Sequence, residues 1–481
     1  MKQVDVAVIG AGSAGMSAYR AVKKADKSCV LIENHLYGTT CARTGCMPSK
    51  LLIAAANSAH NIRKASQFGV HVDLNTLEIN RSDVMKRVRK ERERFVNFVL
   101  DDVYDFPEED RVLGNYHFIN ENTLENELGE KIQAKRFVLA TGTKPFVLPQ
   151  FADIPDRVLD TEDFFNFHVL PKSVCVVGTG AIGLELGQAL TRLGVRVTIL
   201  GISNLIGPIT DPELLDLANE LFRRECRIFN DANILTAELV QKEGDEYEKV
   251  VEVRFEQDNV IYREQFEYVL SATGRVPNLE KLCLEATPLK FEKKRPVYNT
   301  NTLQCMNEDG TPSFFFIAGD ITGDRMILHE AIWEGQFAGR NVINSLRDGY
   351  IDAAPLLVEQ RKIHTPLGIV FTDPEICMVG LTHSELTDQH RIGRVNFENQ
   401  GRSRIQLKNY GALHIYADVS DRKIVGCEMC GPAAEHLGHL IAWAIESETT
   451  VDQALEMPFY HPVVEEGLRT ALRDLRIKLD E

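Results

Sequence analysis

Two cysteines near the start of the chain are the residues whose types and spacing most clearly suggest chemistry. The stretch TCARTGCMPSK occupies residues 40–50 and separates Cys41 from Cys46 by four residues. Zinc ligands usually come as CxxC pairs with a second pair or histidines elsewhere, and thioredoxin-like redox sites also use CxxC. The CxxxxC spacing fits neither class, so the surrounding sequence has to indicate what the two thiols do.

A glycine-rich motif precedes the cysteines and predicts a dinucleotide site. An apolar, strand-like run, VDVAVIG, leads to Gly10, Gly12 and Gly15 at GxGxxG spacing, and the run CVLIE follows and ends at Glu33. Such glycines allow a tight turn and a close approach of the backbone to a pyrophosphate, which the N-terminus of the next helix binds. Glu33 lies 23 residues after Gly10, where a carboxylate is expected to bind the ribose hydroxyls.

The same pattern occurs again about 170 residues later. The segment SVCVVGTGAIGLELG at 173–187 places Gly178, Gly180 and Gly183 after a valine-rich strand. A lone GxGxxG is weak evidence because it is often only a turn, but a repeat of strand, glycines and helix is a poor candidate for coincidence. Two such units predict two nucleotides bound by one chain, most simply FAD and a nicotinamide.

Length and composition set limits on the class of protein. A chain of 481 residues predicts about three domains of roughly 150 residues each, and its 44% hydrophobic content suffices for large cores. The net charge of −16 argues against a nucleic-acid partner or an anionic membrane surface. Ten cysteines are too sparse for a secreted disulfide scaffold, and no apolar run approaches the length of a membrane span. We therefore expect a cytoplasmic protein.

Taken in order, the motifs resemble those of the pyridine nucleotide–disulfide oxidoreductases. They are GxGxxG, CxxxxC with PSK, ATG at 140–142, a second GxGxxG, ATGRxPN, AGD and a terminal HPxxxE, and together they cover nearly the whole chain. The resemblance implies an α/β fold with two Rossmann-like dinucleotide-binding domains, for FAD and NAD(P), and a C-terminal α+β dimerisation domain. The expected segments are 1–150 and 279–349 for the FAD-binding domain, 151–278 for the NAD(P)-binding domain and 350–481 for the dimerisation domain.

The resemblance also implies that the two cysteines form a redox-active disulfide. Such a pair needs Cα atoms about 4.4–6.8 Å apart, and Gly45 helps the chain to turn back between them. By analogy, Cys46 is the thiolate next to the flavin, and Cys41 exchanges with the substrate thiol. Lys50 is expected near the flavin and paired with Glu185, because a buried ammonium group without a partner is costly.

A histidine near the C-terminus is the expected proton acceptor. In the stretch FYHPVVEEGL, His461 precedes Glu466 by five residues. A base that works near neutral pH is most simply a histidine, and a carboxylate on its other ring nitrogen raises its basicity. Pro462 suits the first turn of the helix expected to follow. In a homodimer of this family, His461 acts on the disulfide of the partner chain, so dimerisation is part of the expected active site.

The expected cofactors are FAD and NAD, NADP is not excluded, and no metal is expected. Asp320 either caps a turn or hydrogen-bonds a ribityl hydroxyl of the flavin. The other predicted cofactor contacts, besides Lys50, Glu33 and the two glycine motifs, are His117, Ala140, Thr141, Gly142, Met326, His329, Gly201 and Gly274.

One position leaves the choice of nicotinamide open. Gly201 stands 23 residues after Gly178, where an NAD-dedicated site normally has a carboxylate that binds the ribose and repels a 2′-phosphate. The next three residues, Ile202, Ser203 and Asn204, offer no positive charge for a 2′-phosphate either. We expect NAD as the working partner, from the resemblance, with weak discrimination against NADP.

The expected activity is the oxidation of dihydrolipoyl groups, on a lipoyl-bearing protein or as a small substrate, as in the dihydrolipoamide dehydrogenase type of the family. The PSK at 48–50 resembles the lipoamide and mercuric types. Two alternatives stay open: NAD(P)H-dependent reduction of a disulfide or a metal ion, and a mainly structural flavoprotein subunit. The family usually has a glycine where Thr39 stands and an asparagine where Arg43 stands, which leaves the exact substrate in doubt.

Overall fold

The computed structural model describes residues 1–242, 249–346 and 361–481. The α-helices are α1 Ser13–Lys24, α2 Thr40–Arg43, α3 Cys46–Lys64, α4 Arg81–Tyr104, α5 Thr161–Asn166, α6 Ala181–Arg192, α7 Pro212–Arg223, α8 Leu328–Asn344, α9 Gly401–Ile405, α10 Ala434–Glu446, α11 Val451–Glu456 and α12 Glu466–Asp480. The strands are β1 Lys2–Ile9, β2 Cys29–Glu33, β3 Arg111–Leu113, β4 Tyr116–Asn120, β5 Thr123–Asn126, β6 Lys131–Leu139, β7 Thr143–Pro145, β8 Val158–Leu159, β9 Ser173–Val177, β10 Arg196–Leu200, β11 Arg227–Phe229, β12 Asn233–Gln241, β13 Lys249–Gln257, β14 Val260–Phe266, β15 Tyr268–Ser271, β16 Arg275–Pro277, β17 Phe291–Glu292, β18 Arg295–Pro296, β19 Gln304–Met306, β20 Pro312–Ile317, β21 Leu367–Val370, β22 Glu375–Gly380, β23 His390–Asn396, β24 Ala412–Asp418 and β25 Ile424–Gly431.

The first compact unit is built around the first glycine motif and comprises Met1–Pro48, Arg89–Phe146 and Arg275–Ile363. Its sheet has the order β19-β20-β6-β1-β2-β3, with β5 against β6 and β4 against β5. Strands β20, β6, β1, β2 and β3 run parallel. In the register, Ile9 lies opposite both Ile32 and Leu139, so the carboxyl ends of β1, β2 and β6 meet at one edge of the sheet.

Burial explains why the central strands of this sheet are so apolar. The side chains of Val6 and Val8 are fully buried and pack in one cluster with residues of α1 and α8. Strands covered on both faces read as continuous runs of β-branched residues, as β1 does. The parallel arrangement places the first glycine turn, Glu33 and the ATG segment at the same edge, where ligands of doubly wound sheets bind.

The second compact unit comprises Ser49–Val88, Val147–Gly274 and His364–Glu481 and contains the second glycine motif. Its parallel sheet has the order β11-β10-β9-β15-β8. Val177 lies opposite both Leu200 and Ser271, so the turns after β9, β10 and β15 meet at one edge. An antiparallel sheet of β12, β13 and β14 shares a hydrophobic cluster with this sheet.

The C-terminal part of this unit is an antiparallel sheet with helices on it. The strand order is β21-β22-β25-β24-β23. Helices α10 and α12 cover the sheet and share its core, with Leu437, Ile441, Leu472 and Leu475 buried. Helix α12 begins at Glu466, so Pro462 lies before the helix and not in its first turn, which corrects the expectation from the sequence.

The predicted α/β class, with a parallel sheet for each nucleotide and a C-terminal α+β region, is confirmed. The predicted boundary at 349/350 lies outside the described residues, and the boundaries at 150 and 278 stay predictions. No helix within the three described ranges has the length and apolar character that crossing a membrane requires.

A buried ion cluster joins α6 to α3 and to the segment before β22. Arg192, whose side chain is 3% exposed, donates to Glu225 at 2.7 and 2.9 Å and to Asp373 at 3.1 Å. His60 lies 3.3 Å from Glu225, and Asn57 accepts from Arg192 at 2.6 Å. Burial raises the pKa of Glu225, but hydrogen bonds from His60 and Arg192 outweigh it and lower the pKa to about 2.

We expect Glu225→Gln to lower the free energy of unfolding at pH 7 by about 2–3 kcal/mol, because the shift from 4.5 to about 2 stabilises the charged form in the folded state. Since the folded pKa is below the unfolded one, this contribution is present above the unfolded pKa and is lost as the pH falls towards 2. Urea unfolding at pH 7 and near pH 3 measures the free energy of unfolding of both proteins. The difference between the wild type and the variant should be smaller at the lower pH.

The matched control for this cluster is Glu220→Gln. Glu220 forms an exposed ion pair with Arg224 one turn along α7, with both side chains more than 60% exposed. Its loss should change the free energy of unfolding by no more than about 0.5 kcal/mol. A Glu225→Gln effect of the same small size, or one independent of pH, contradicts the assignment of the cluster as a stabilising one.

Candidate active site

The two cysteines lie on either side of a tight turn. Cys41 belongs to the short helix α2 and is half-buried, whereas Cys46 is exposed and begins α3. A Cβ placed on Gly45 would lie 3.1 Å from the carbonyl oxygen of Thr40 and 3.4 Å from the Cα of Cys41. The chain therefore folds back on itself before Cys46, and only a small residue fits at position 45 without displacing its neighbours.

The two departures from the family pattern have structural roles in this turn. Thr39 caps α2, since its hydroxyl oxygen accepts a hydrogen bond from the Ala42 amide at 3.2 Å. Arg43 Nε donates to the Tyr37 carbonyl at 2.7 Å, and the guanidinium lies against Gly38, where a Cβ would come within 2.6 Å of it. Arg43 therefore braces the loop that leads into the cysteine turn.

A cavity of about 690 Å³ opens beside Cys41 within the first unit. Its wall is mostly apolar and comes from helices α1, α4 and α8 and from the cysteine turn. The apolar lining residues are Met16, Met47, Phe95, Phe98, Val99, Leu328 and Ile332. Basic groups also line it: Arg20, which pairs with Asp102 at 3.0 Å, together with Lys24 and Arg340. The cavity therefore presents the Cys41 thiol in an apolar surface, which suits a substrate with an aliphatic or aromatic group.

Lys50 and Glu185 are in contact. The ammonium nitrogen of Lys50 lies 2.8 and 3.0 Å from the two carboxylate oxygens of Glu185, which is buried. Glu185 also accepts from the Phe371 amide at 2.9 Å, and the Phe371 ring lies 4.5 Å from the Lys50 nitrogen. Lys50 follows Cys46 by one turn of α3, so both project from the same side of that helix. The role of the pair in catalysis stays a prediction.

The first glycine motif has the shape of a dinucleotide cradle. A Cβ on Gly10 would lie 2.2 Å from the Ala140 carbonyl oxygen, and one on Gly15 would lie 1.8 Å from that of Gly10. At Gly12 the space is open, with no described heavy atom within 4 Å of such a Cβ. Glu33 accepts from the Ala11 amide at 2.9 Å, which holds its carboxylate beside the turn. Gly10 and Gly15 thus allow close packing, and Gly12 leaves room for a phosphate group.

Two buried polar groups near this edge fit the flavin nucleotide. The hydroxyl of Thr141 is buried and has no hydrogen-bond partner among the residues that the structure describes. Burial raises the pKa of Asp320, and the charge of Arg275 and a hydrogen bond from Thr143 only partly offset the rise. Asp320 opens a short turn directly after β20. Both groups are suited to the hydroxyl and phosphate groups of FAD, although these contacts stay predictions.

The remaining predicted cofactor residues are more dispersed. His117 lies in β4, and Gly142, with a positive φ, follows β6. Met326 is exposed just before α8, and His329 lies in the first turn of that helix with its ring 6.3 Å from that of Trp333. Gly142 lies two residues after Ala140, whose carbonyl oxygen faces Gly10, and the cofactor contacts of all four residues stay predictions.

The second glycine motif repeats the geometry of the first. A Cβ on Gly178 would lie 2.3 Å from the Ala272 carbonyl oxygen, and one on Gly183 would lie 2.0 Å from that of Gly178. Around Gly180, as around its counterpart in the first motif, the described part of the chain leaves the Cβ position clear. Gly274 follows β15 with a positive φ of 102°. The same steric solution therefore occurs in both nucleotide units.

The end of the second strand is where the two units differ. A Cβ on Gly201 would lie 2.9 Å from the Thr179 methyl group and 3.0 Å from its hydroxyl oxygen. Thr179 is buried and donates to the Leu205 carbonyl at 2.7 Å, so turning its side chain away breaks that hydrogen bond. Thr179 thus occupies the space that a side chain at position 201 needs. The sequence pattern showed that an acid is missing at position 201, but it did not show that the Thr179 side chain fills the space.

His461 and Glu466 form a histidine–carboxylate pair. His461 Nδ1 lies 3.0 and 3.2 Å from the two carboxylate oxygens of Glu466, and the Val463 amide donates to the same carboxylate at 3.2 Å. The hydrogen bond from His461 lowers the pKa of Glu466. The His461 side chain is 79% exposed. The tautomer with a proton on Nδ1 would donate to the carboxylate and leave the lone pair on Nε2, and the role of His461 as a base stays a prediction.

The chain matches two family models. The one described as pyridine nucleotide-disulphide oxidoreductase matches residues 4–335, and the one described as its dimerisation domain matches residues 367–472. The chain is 26% identical over 478 residues to dihydrolipoyl dehydrogenase of Bacillus subtilis (strain 168), with 98% of each chain covered. It is 27% identical over 477 residues to mercuric reductase of Bacillus cereus, with 97% of this chain and 71% of that protein covered.

Two solved structures share the fold at low identity. The HOCl-induced flavoprotein disulfide reductase RclA from Escherichia coli, as its Cu(II) complex, superposes with a TM-score of 0.78 at 20% identity and covers 99% of both chains. LpdA from Mycobacterium tuberculosis gives a TM-score of 0.78 at 20% identity, with 98% of this chain and 99% of that chain covered. These likenesses show that the fold is shared, and they give no information about the substrate.

The contact between Thr179 and Gly201 makes a prediction about the nicotinamide. We expect wild-type kcat/KM for NADH and NADPH to differ by less than about 100-fold, or roughly 2.8 kcal/mol, because position 201 neither binds the ribose nor repels a 2′-phosphate. Gly201→Glu alone should weaken both cofactors, since its Cβ displaces Thr179. The double variant Thr179→Gly/Gly201→Glu should recover NADH and disfavour NADPH.

Steady-state kcat/KM for both nicotinamides measures this effect. Gly201→Ala is the control, since it adds the Cβ without the charge and should weaken both cofactors alike. A wild-type ratio of about 1000-fold or more in either direction, roughly 4 kcal/mol, contradicts weak discrimination. A Gly201→Glu variant as active as the double variant contradicts the steric role of Thr179.

Proposed function

Because the chain belongs to the pyridine nucleotide–disulphide oxidoreductase family, we propose that it oxidises dihydrolipoyl groups with NAD through a Cys41–Cys46 disulfide. Enzymes of this family contain FAD and depend on NAD(P)H, so the chain is a flavoprotein oxidoreductase that uses a nicotinamide. The curated relatives named dihydrolipoyl dehydrogenase support the substrate, at about 26% identity.

The observation that carries the proposal is the His461–Glu466 pair. Oxidation of a dithiol releases two protons, and a thiol attacks a disulfide only after it has lost its proton. His461 has one ring nitrogen held by Glu466 at 3.0 Å and the other directed outwards, which is the arrangement of a general base. We place this base over the disulfide of the partner subunit in a homodimer, as the resemblance implies and as the dimerisation domain supports.

The proposed thiol–disulfide exchange takes two steps. A substrate thiolate attacks the Cys41 sulfur, the Cys41–Cys46 bond breaks, and Cys46 leaves as a thiolate. The second substrate thiolate attacks the mixed disulfide, which closes the lipoyl ring and releases Cys41 as a thiol. His461 accepts the proton of the first attacking thiol and releases it to solvent, then accepts the proton of the second thiol and passes it to the Cys41 sulfur as that sulfur leaves. FAD, when bound, would supply the two-electron acceptor that reoxidises the cysteine pair, with NAD as the final acceptor.

Lys50 and Glu185 act in this scheme as positioning and electrostatic groups. By the resemblance, the Lys50 ammonium would lie near the flavin ring when FAD is bound, where its positive charge would favour reduction of the ring. Glu185 fixes the position of that ammonium, since its carboxylate lies 2.8 Å away in a buried position. The cavity beside Cys41 contributes an apolar wall that fits the aliphatic arm of a lipoyl group.

A second candidate is the NAD(P)H-dependent reduction of an anionic disulfide. The basic residues Arg20, Lys24 and Arg340 in the cavity wall favour it, even with Arg20 paired to Asp102, because an anionic substrate uses positive charge that a neutral lipoyl arm does not. Purified holoenzyme should be assayed with dihydrolipoamide and NAD, with glutathione disulfide and NAD(P)H, and with Hg(II) and NAD(P)H. If kcat/KM for dihydrolipoamide is lower than kcat/KM for glutathione disulfide or for Hg(II), the first proposal is wrong.

The two cysteines should differ in their spectroscopic effect. Two-electron reduction of the wild type should produce a long-wavelength absorbance band from the Cys46 thiolate next to the flavin. Cys46→Ser should abolish this band, whereas Cys41→Ser should show it without reduction, because Cys46 is then a thiolate with no disulfide partner. Absorbance spectra of the three proteins measure it. Persistence of the band in Cys46→Ser reverses the assignment of the two sulfurs.

His461→Ala should lower kcat for dihydrolipoamide by roughly 100-fold or more, the usual scale for a general acid–base. The flavin should stay bound and visible in the spectrum. Glu466→Gln should lower kcat less, because Glu466 orients the base without carrying the proton. His439→Ala, which removes a histidine bonded only to a backbone carbonyl on α10, is the control. Turnover of His461→Ala close to that of the control removes His461 from the mechanism.

A further inference from the structure

The turn that carries Asp320 is held by a side chain that the proposed thiol chemistry does not use. Strand β20 ends at Ile317, and Asp320 opens the short turn that follows. Within the turn, the Gly319 carbonyl accepts from the Thr322 amide at 2.8 Å. The Gly319 amide donates to a carboxylate oxygen of Glu334, on α8, also at 2.8 Å. The backbone just before Asp320 is therefore fixed by a side chain from a different element.

Gly319 has a backbone conformation that essentially only glycine adopts. Its φ is +82° and its ψ is −158°. A Cβ at this position would also lie 2.8 Å from the Cβ of Ala14, in the first turn of α1. Gly319 is buried, so its amide needs an acceptor inside the protein. Glu334 supplies that acceptor and stabilises a conformation that the glycine permits but does not enforce.

Glu334 is a buried carboxylate with a cation on its other side. One oxygen accepts from the Gly319 amide, and the other accepts from Arg361 at 2.5 Å. Both charged side chains are at most 10% exposed, and the Arg361 amide donates to the Asn301 carbonyl at 2.7 Å. Burial raises the pKa of Glu334, and the hydrogen bond from Gly319 with the charge of Arg361 only partly offsets the rise. Arg361 thus balances the charge of Glu334 and leaves one carboxylate oxygen for the turn.

The helix that carries Glu334 lies directly against the helix that the first glycine motif opens. A Cβ on Gly335 would lie 2.1 Å from the carbonyl oxygen of Ala14, and one on Gly339 would lie 2.8 Å from that of Ala18. The backbones of α8 and α1 are therefore in contact over more than one turn, which prevents α8 from sliding along α1. Glu334 has a fixed position relative to the first glycine motif for this reason.

The Asp320 side chain is held separately from its backbone. Asp320 is half-buried at the carboxyl end of a parallel strand, at the edge where doubly wound sheets bind their ligands. Its carboxylate accepts a hydrogen bond from the Thr143 hydroxyl, and that hydroxyl accepts from Arg275 Nε at 2.8 Å. The carboxylate is thus oriented by Thr143, while its distance from the glycine motif is set by the turn that Glu334 holds.

We propose that Glu334 is a positioning residue for FAD. Its carboxylate holds the Gly319 amide and so fixes the place of Asp320 relative to the first glycine motif, which allows both to bind one dinucleotide at the same time. Glu334 acts only through the turn and does not contact the cofactor. A binding group that is fixed beforehand loses less conformational freedom on binding, which strengthens affinity. The inference rests on FAD as the cofactor of the family and is independent of the proposed dithiol substrate.

Two double variants separate the hydrogen bond to Gly319 from the ion pair. Glu334→Gln/Arg361→Met and Glu334→Leu/Arg361→Met both lose the ion pair, and only the first keeps an acceptor for the Gly319 amide. FAD is titrated into the full-length protein after its flavin has been removed, and quenching of flavin fluorescence gives Kd. The Gln form should bind FAD within about 3-fold of the wild type, and the Leu form about 10-fold or more weakly, roughly 1.4 kcal/mol.

Equal Kd values for the Gln and Leu forms overturn the proposal, because Glu334 then serves only to balance the charge of Arg361. The same pair is compared in an Asp320→Ala background, where the two forms should bind FAD within about 2-fold of each other, since the turn no longer positions a carboxylate. A difference as large as that measured with Asp320 present means that Glu334 supports the unit in general, which also overturns the positioning role.

Circular dichroism of the flavin-free proteins shows whether each variant folds. If the Leu form does not fold, Glu334→Asp takes its place, because it keeps the charge but draws the acceptor back from Gly319 by one methylene group. Glu334→Asp should weaken FAD binding by about 5-fold or more, roughly 1 kcal/mol, and its effect should disappear in the Asp320→Ala background. An unchanged Kd for Glu334→Asp, or an effect that persists without Asp320, overturns the proposal.

Discussion

The ion pair between Lys50 and Glu185 is the interaction on which the rest of this enzyme depends. Glu185 is buried, and an isolated carboxylate in such a place costs several kcal/mol. Here the Lys50 ammonium and the Phe371 amide, which both donate hydrogen bonds to the Glu185 carboxylate, offset this cost. Lys50 stands one turn after Cys46 on α3, and Glu185 belongs to the helix that follows the second glycine motif. One electrostatic contact therefore fastens α3, the helix that begins at Cys46, to α6, the helix that follows the second glycine motif.

The same two helices are tied a second time by the cluster around Arg192. Its guanidinium contacts Asn57 on α3, and its backbone carbonyl accepts from Arg63 at 2.6 Å. Two attachments between α3 and α6 prevent α3 from rotating and from sliding along α6. A single attachment would still let α3 rotate about the point of contact. Rigid support of this kind matters because disulfide exchange needs the attacking atom in line with the bond it breaks. The cost of burying these charges is offset by partners of opposite sign at each position.

The sequence predicted those parts of the site whose geometry the backbone alone decides. Both glycine motifs appear with the close contacts that the spacing requires, since only glycine fits at Gly10 or Gly178. The contact of Lys50 with Glu185 was predicted from the resemblance to the family, and the need to pair a buried charge only agreed with it. Thr179 against Gly201 was missed because two residues 22 positions apart meet only after two strands have paired in register. Phe371 and the Arg192 cluster were missed for the same reason. Pro462 was misplaced because α12 begins at Glu466, four residues after the proline.

The filled space at position 201 has a consequence for how such a cofactor site changes over evolutionary time. Thr179 and Gly201 fit each other as a pair, so the benefit of an acid at one position depends on the residue already present at the other. A lineage that acquires the acid first passes through a poorly folded loop, whereas one that first loses the Thr179 side chain passes through a permissive intermediate. The order of mutations is thereby constrained by the contacts of one threonine side chain. This is sign epistasis with a steric origin, in which the residue at position 179 decides whether an acid at position 201 is harmful or useful.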